Sequence, residues 1–121
     1  MKIHKITMIN NMKKDLKQLQ KDIFQNKIEK GFNTTDVALE FCRAHEELSE
    51  AFKKHNLGED GVGEELADVA IFLLGMCEML GYDLEDELIQ KIETNKKRVY
   101  EKTINEDGKE IFIRVKTDVD P

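Results

Sequence analysis

Apolar residues recur at helical spacing through most of this chain and divide it into helical segments. Residues 8–30 carry them at alternating intervals of four and three, which is typical of a helix packed along one seam. The seam consists of Met12, Leu16, Leu19 and Ile23. Gly31 would end this first helix, and the good N-cap residues at 33–36 would begin a second helix that continues to about Asn56.

Two further helices are predicted between residues 64 and 102. Residues 64–80 are apolar over most of the helix circumference, which indicates cover on more than one side, by the same domain and by another subunit. Gly81 would end this third helix, and Asp83 would cap a fourth that runs to about Lys102. The core stripe of the fourth helix would be Leu84, Leu88, Ile92 and Val99. With a glycine-containing loop at 57–63, the pattern predicts an all-α, four-helix bundle-like core.

In the tail, residues 103–121, the spacing of the apolar residues is no longer helical. Apolar residues now alternate with charged or aromatic ones behind the turn signal Asp107-Gly108, so a short β-hairpin is one expectation for this segment. The alternating apolar positions are Ile111, Ile113 and Val115. We expect the tail to make an edge contact or an oligomer contact, with disorder at residues 118–121.

Length and charge narrow the class of protein. At 121 residues the chain is expected to be one domain, with its core at about residues 8–102, that buries about two-thirds of its unfolded surface. The formal charge of −6 argues against nucleic-acid binding and against adhesion to anionic membranes. Cys42 and Cys77 form neither a zinc spacing nor a disulfide framework. We expect no signal peptide and no bilayer span, and therefore a cytoplasmic protein.

Two acidic pairs at i, i+3 stand on the second and third predicted helices. Glu47 and Glu50 belong to an E-E-x-x-E motif that begins at Glu46, and Glu65 and Asp68 form an E-x-x-D motif. Two successive helices with a short connection can bring such pairs together across their interface. The spacing therefore predicts a cluster of four carboxylates.

Helical periodicity tests which side of each helix these carboxylates occupy. At about 100° per residue, Glu47 lies at roughly a right angle to the apolar stripe of its helix, and Glu50 points largely away, so Glu50 depends on its pairing with Glu47. Glu65 falls within the stripe of the third helix and Asp68 lies at its edge. The stripes are Val37, Phe41, Ala44, Leu48 and Phe52 on the second helix, and Val62, Val69, Phe72, Met76 and Leu80 on the third.

Converging carboxylates on apolar faces need a positive partner, because burying an unpaired carboxylate costs several kcal/mol. Four acids with little positive charge nearby favour a divalent metal. All-oxygen ligation points to Mg²⁺ or Mn²⁺ rather than zinc. The alternative is that these acids are solvated surface charges or are paired with lysines.

A second polar set lies on one surface of the fourth predicted helix. Asn95 falls inside the apolar stripe, and Lys91 and Arg98 flank it on one edge. A helix buries an asparagine only when its amide has partners. The alternative for this set is an ordinary cationic face.

The acidic pattern, E-E-x-x-E followed by a gap and E-x-x-D on two helices, resembles that of the MazG-type nucleoside triphosphate pyrophosphohydrolases of the all-α NTP pyrophosphatase superfamily. The resemblance covers about residues 26–100 and includes the Lys91, Asn95 and Arg98 set, which in that family holds the substrate phosphates. It implies that the four acids are both metal ligands and catalytic residues. Those acids are Glu47, Glu50, Glu65 and Asp68.

Residues 30–33 also resemble the lead-in of a small MazG-like subgroup. This implies that Phe32 stacks on a base and that Lys27 or Lys30 reaches a phosphate. For Phe32 the alternative is a buried aromatic side chain in a loop.

The activity that the resemblance implies is Mg²⁺-dependent cleavage of a (d)NTP between its α and β phosphates, to a nucleoside monophosphate and pyrophosphate, in house-cleaning or nucleotide-pool control. The apolar third helix predicts a homodimer or a dimer of dimers. The alternative class is a non-catalytic helical oligomer, an interaction or regulatory module whose acids are surface charge or a structural metal site.

Overall fold

A computed structural model describes residues 13–120 of the chain. These residues form four helices and a small antiparallel sheet, which agrees in broad terms with the predicted all-α class. The elements are α1 (Leu16–Lys30), α2 (Val37–Asn56), α3 (Val62–Leu80), α4 (Leu84–Lys97), β1 (Val99–Ile104) and β2 (Glu110–Val115). The chain divides after Glu85 into two compact units. None of the helices within 13–120 has the length and hydropathy needed to cross a bilayer.

The ends of α1 are fixed by local backbone chemistry. The Asp15 carboxylate accepts a hydrogen bond from the backbone N–H of Gln18 at 2.8 Å and so caps the helix. Gly31 ends it in the left-handed conformation, with φ 72°, as the sequence predicts. Residues 13–15 are not helical, so the helix predicted from residue 8 is wrong there, and residues 8–12 lie outside the described part of the chain.

Helices α2 and α3 follow the predicted pattern closely. Asp36 caps α2, since its carboxylate accepts from the backbone N–H of Leu39 at 3.1 Å. A loop at 57–61 leads into α3, which starts two residues earlier than predicted and ends at Gly81 as expected. In the first compact unit α3 packs against both α2 and α1. The two predicted acidic motifs therefore lie on helices that contact each other.

The face of α2 that packs on α3 differs from the predicted stripe. Ala44 and Ala51 are buried there, whereas three large apolar residues of the stripe are exposed. Phe41, Leu48 and Phe52 are exposed by 50%, 51% and 64%. The centre of the buried face is displaced by about 60° from the centre of the predicted stripe, and Ala44 belongs to both. The predicted stripe is therefore confirmed for Ala44 and wrong for its three largest side chains.

A buried ion pair joins α1 to α2. The Lys27 ammonium group donates a hydrogen bond to the Glu40 carboxylate, and the two side chains are only 11% and 4% exposed. The lysine stem crosses Gly75 of α3, where the missing side chain leaves room for it. Burial lowers the pKa of Lys27. The ion pair thus joins α1 to α2, and its lysine stem packs on α3.

Gln20 forms a second polar link within the first unit. Its buried amide donates to the Glu78 carboxylate at 2.8 Å and to the Tyr82 carbonyl at 2.7 Å. The amide oxygen accepts from the backbone N–H of Leu84 at 3.1 Å. Gln20 therefore satisfies backbone groups of the turn that follows α3.

In the second unit, α4 ends at Lys97, and Val99 begins a strand instead of continuing the helix. The predicted helix to Lys102 and its core stripe are therefore wrong, and no described residue of α4 is buried. The predicted hairpin is confirmed: β1 and β2 pair antiparallel, with Val99 opposite Val115. Gly108 supplies the positive φ, 79°, that the turn requires.

The residues after β2 form a turn around Asp120. Its carboxylate accepts from the Thr117 backbone N–H at 3.1 Å and pairs with Arg114 at 3.1 Å and with Arg98 at 3.4 Å. The disorder predicted for this segment is therefore wrong for residues 118–120, because a carboxylate with two cationic partners holds the turn. Pro121 lies outside the described residues.

Replacing Lys27 by Met should lower the free energy of unfolding by about 3–5 kcal/mol, because Glu40 would stay buried without its partner. Chemical denaturation measures this loss. The double variant Lys27→Met/Glu40→Met should recover most of it. Lys14→Met, which breaks the exposed pair with Asp22, should cost less than about 1 kcal/mol. Equal effects of the two lysine variants would contradict a special role for the buried pair.

Candidate metal centre

Three carboxylates converge where α2 packs on α3. One comes from Glu47 of α2, and two come from Glu65 and Asp68, one turn apart on α3. Each offers an oxygen atom, and these oxygens all lie within 4.8 Å of one another. All three residues are half-buried. The structure therefore brings together three of the four predicted acids.

Glu47 reaches this position because it belongs to the inner face of α2. It follows Ala44 by three residues and precedes Ala51 by four, so all three point toward α3. The small alanines bring the backbone of α2 close to α3, and the glutamate side chain extends between the helices. The sequence placed Glu47 at roughly a right angle to the apolar stripe. Because the buried face of α2 is displaced from that stripe, Glu47 lies on the buried side instead.

The carboxylates of the cluster differ in their affinity for protons. Burial raises the pKa of Glu47, and a hydrogen bond with Glu65 and the negative charge of Asp68 raise it further. The pKa of Glu65 is lowered, chiefly by a hydrogen bond from Lys54 and also by its bond with Glu47. The ammonium group of Lys54 thus favours the ionised form of Glu65, whereas burial and the neighbouring acids disfavour the ionised form of Glu47.

Lys54 is a member of this site that the sequence analysis did not identify. Its Nζ donates to Oε1 of Glu65 at 2.8 Å. Lys54 follows Glu47 by seven residues, so both lie on the same face of α2. The spacing could have identified Lys54 from the sequence, but only once it was known which face of α2 packs on α3.

Glu50 is exposed and does not belong to the group of converging oxygens. Its negative charge still contributes to the raised pKa of Glu47, so the two side chains interact. Glu46 is also exposed and pairs with Arg43 at 3.5 Å, in agreement with its predicted position outside the cluster. A metal-binding role for Glu50 stays a prediction.

The three carboxylates fit a small hard cation. Mg²⁺ binds oxygen ligands at about 2.0–2.1 Å, so ligands on one ion lie roughly 3–4 Å apart. The three oxygens lie within 4.8 Å of one another, so small rotations of the side chains would bring them to distances that one ion can bind. Three protein ligands would leave coordination positions for phosphate oxygens and water.

A cleft adjoins the cluster at Asp68. It has a volume of about 380 Å³ and a largely apolar lining from α1, α3 and the loop between α1 and α2. Asp68 and five apolar residues contribute to this lining: Leu19, Ile23, Phe32, Ile71 and Phe72. Phe32 is exposed, so the alternative of a buried loop aromatic is wrong. Its ring is available at the edge of the cleft.

The two lysines predicted to reach phosphate lie in different environments. The Lys27 ammonium group is bound to Glu40, which gives this residue a structural role. Lys30 is exposed in the last turn of α1. A phosphate contact by either lysine stays a prediction.

The Lys91, Asn95 and Arg98 set belongs to the second unit. Lys91 and Asn95 are exposed, so the predicted burial of the asparagine is wrong. The Asn95 amide oxygen accepts from Arg98 Nη1 at 2.9 Å, and the arginine also pairs with Asp120. These contacts occupy part of the guanidinium group, and its expected role in phosphate binding stays a prediction.

Comparison of the chain with protein-family models, curated proteins and solved structures finds no match. The assignment of function therefore depends on the residues themselves.

Glu47→Gln should stabilise the metal-free protein at pH 7. Because the pKa of Glu47 is raised above its ordinary value of 4.5, the folded state binds this proton more tightly than the unfolded chain does. The stability that the group contributes is lost as the pH rises through the raised pKa. Glutamine keeps a neutral side chain, so the variant should melt at a higher temperature than the wild type in the presence of a chelator.

The gain should shrink as the pH falls below 4.5, where Glu47 becomes protonated in both states. Melting curves recorded across the pH range provide the measurement, and exposed Glu46→Gln provides the control. An unchanged gain at acidic pH would show that the effect does not come from ionisation of Glu47.

Proposed function

We propose that this chain is a Mg²⁺-dependent nucleotide pyrophosphohydrolase that cleaves a (d)NTP between its α and β phosphates. The observation that supports this function most directly is the convergence of Glu47, Glu65 and Asp68 across two packed helices. The acidic motifs that resemble those of MazG-type enzymes supply the same residues. An acidic site binds an acidic substrate only if cations mediate, which is consistent with metal dependence.

The chain's own residues would divide the work as follows. Glu47, Glu65 and Asp68 would hold the metal, which when bound would offset the negative charge of the phosphates and promote ionisation of the attacking water. A carboxylate of the cluster would orient that water and accept its proton. The water attacks phosphorus, the bond between the α and β phosphates breaks, and pyrophosphate leaves with a nucleoside monophosphate as the second product.

The cleft beside Asp68 supports a nucleotide substrate. A volume of about 380 Å³ falls within the range of small-molecule sites. Its apolar lining and the exposed ring of Phe32 suit a planar base. The carboxylate cluster adjoins the cleft at Asp68, so the phosphates attached to that base would lie beside the carboxylates. Metal and base sites that share Asp68 would hold the two ends of one nucleotide.

Alanine at either Glu65 or Asp68 should reduce the rate of pyrophosphate release by a factor of at least about 10². Both variants should still fold. Asp68→Ala should keep or raise the stability, since one carboxylate fewer repels its neighbours without metal, whereas Glu65→Ala also loses the ion pair with Lys54 and should lower it. The assay is a panel of canonical and modified (d)NTPs, scored with and without Mg²⁺. Glu64→Ala is the matched control, because Glu64 is exposed in the first turn of α3.

If Glu64→Ala proves as damaging as Glu65→Ala, the assignment of the inner face is wrong. Release of pyrophosphate that does not depend on added divalent metal would contradict the proposed role of the cluster.

The proposed assembly is a homodimer or a dimer of dimers. An apolar groove of about 200 Å³ runs along α2 and α3, and several of its residues are exposed. The groove is lined by Phe41, Ala44, His45, Leu48, Val69, Leu73 and Met76. Exposed apolar surface of this kind commonly marks a protein contact.

Leu48→Lys should therefore convert the oligomer to a monomer in sedimentation velocity, because the new charge would be buried at the contact. Leu57→Lys is the control, since Leu57 is also exposed but lies in the loop before α3, outside the groove. A wild-type protein that is monomeric at micromolar concentration would contradict the proposed assembly.

The second candidate function is a non-catalytic helical oligomer. The exposed apolar groove favours it, because that groove supports a protein contact without requiring a substrate. The two candidates differ in one measurement: an enzyme should show a melting temperature raised by Mg²⁺ with a triphosphate, together with released pyrophosphate. Neither effect with any common nucleotide would favour the interaction module.

A further inference from the structure

Lys54 lies directly against a carboxylate that the proposed metal would use. Its Nζ is 2.8 Å from Oε1 of Glu65, and the two side chains are 29% and 17% exposed. The Glu65 carboxylate also belongs to the converging group with Glu47 and Asp68. A divalent cation that binds Glu65 would therefore meet an ammonium group of the protein on the same carboxylate.

The position of Lys54 is determined by the fold around it. The residue lies on the inner face of α2, seven positions after Glu47, whereas its neighbour Lys53 is exposed. The ammonium group passes close to Gly61, where a Cβ atom would lie 3.2 Å from Nζ. A glycine at this point leaves the lysine room to reach Glu65.

We infer that Lys54 is an internal counter-ion that Mg²⁺ displaces from Glu65, and that the released ammonium group then binds phosphate oxygens arriving with the metal. This inference rests on the proposed function, because it names the residue that couples metal and triphosphate at the same site. It makes Lys54 a substrate-binding residue as well as a stabilising one.

The charges explain why the exchange favours metal and triphosphate together. Without a cation the clustered carboxylates repel one another, and Lys54 offsets part of that repulsion. Mg²⁺ alone breaks the Lys54–Glu65 pair and leaves two cations close together. A triphosphate gives the ammonium group a new anionic partner, and the flexible four-carbon lysine stem allows it to move.

Metal and triphosphate should therefore bind with positive coupling, and each should raise the affinity of the other by the same factor. Isothermal titration of Mg²⁺ into the full-length chain, with and without a non-cleavable α,β-methylene dNTP, measures that factor. In the wild type, Mg²⁺ alone should bind weakly and the analogue should strengthen its binding.

Lys54→Met should bind Mg²⁺ alone roughly tenfold more tightly and should lose most of the strengthening by the analogue, a change within the range typical of coupled sites. In the presence of a chelator this variant should melt at a lower temperature than the wild type, and Mg²⁺ should raise its melting temperature further. Lys54→Arg should behave like the wild type because it keeps the charge. Lys53→Met is the matched control and should change neither affinity.

Equal or weaker binding of Mg²⁺ alone by Lys54→Met would overturn the inference. Tighter binding with unchanged coupling would overturn the phosphate contact. No Mg²⁺ binding by any variant, with or without the analogue, would overturn both the metal site and the inference. If the binding data follow expectation but no nucleotide is cleaved, the exchange at Lys54 stands and only the proposed catalytic function fails.

Discussion

The close approach of α2 to α3 is the constraint on which the first unit depends. Alanines at 44 and 51 are buried in this contact, and the large side chains of the same helix lie roughly 50–90° to one side of them. Phe41, Leu48 and Phe52 are consequently left at the surface. The same approach pulls Glu47 between the helices and sets it against the carboxylates of α3. The candidate site and the exposed apolar stripe therefore both follow from the way α2 packs on α3.

Two lysine–glutamate pairs stand beside this interface and differ in what their burial permits. Lys27 and Glu40 are almost fully removed from solvent, so separating them would leave an uncompensated charge in a medium of low polarity. Lys54 and Glu65 retain contact with water, and either member can exchange partners at much lower cost. The first pair is suited to holding three helices together. The second is suited to a site whose cation changes between states.

Sequence reasoning located the helices of the first unit well because their ends carry strong local signals. Asp36, Gly31 and Gly81 act through hydrogen bonds and backbone conformation within a few residues. The face of α2 was mistaken because apolar periodicity identifies the most hydrophobic side of a helix, whereas burial here follows small size. The end of α4 was also missed: Val99 continues the helical spacing, but its pairing with Val115 is a non-local contact. Three acids of the cluster could be predicted, while Lys54 could not be assigned until the inner face was known.

Helix α3 has two apolar sides, and their positions allow an oligomer contact on one side and the cleft on the other. Gly75 faces α1, where Lys27 and Ile23 pack across it. Leu73 is two residues away, about 160° around the helix, and lines the uncovered groove on the α2 side. The cleft at Asp68 is formed with α1. A second copy seated on the groove would therefore cover the side of α3 that α1 leaves open, and would bury apolar surface without filling the cleft beside the carboxylates.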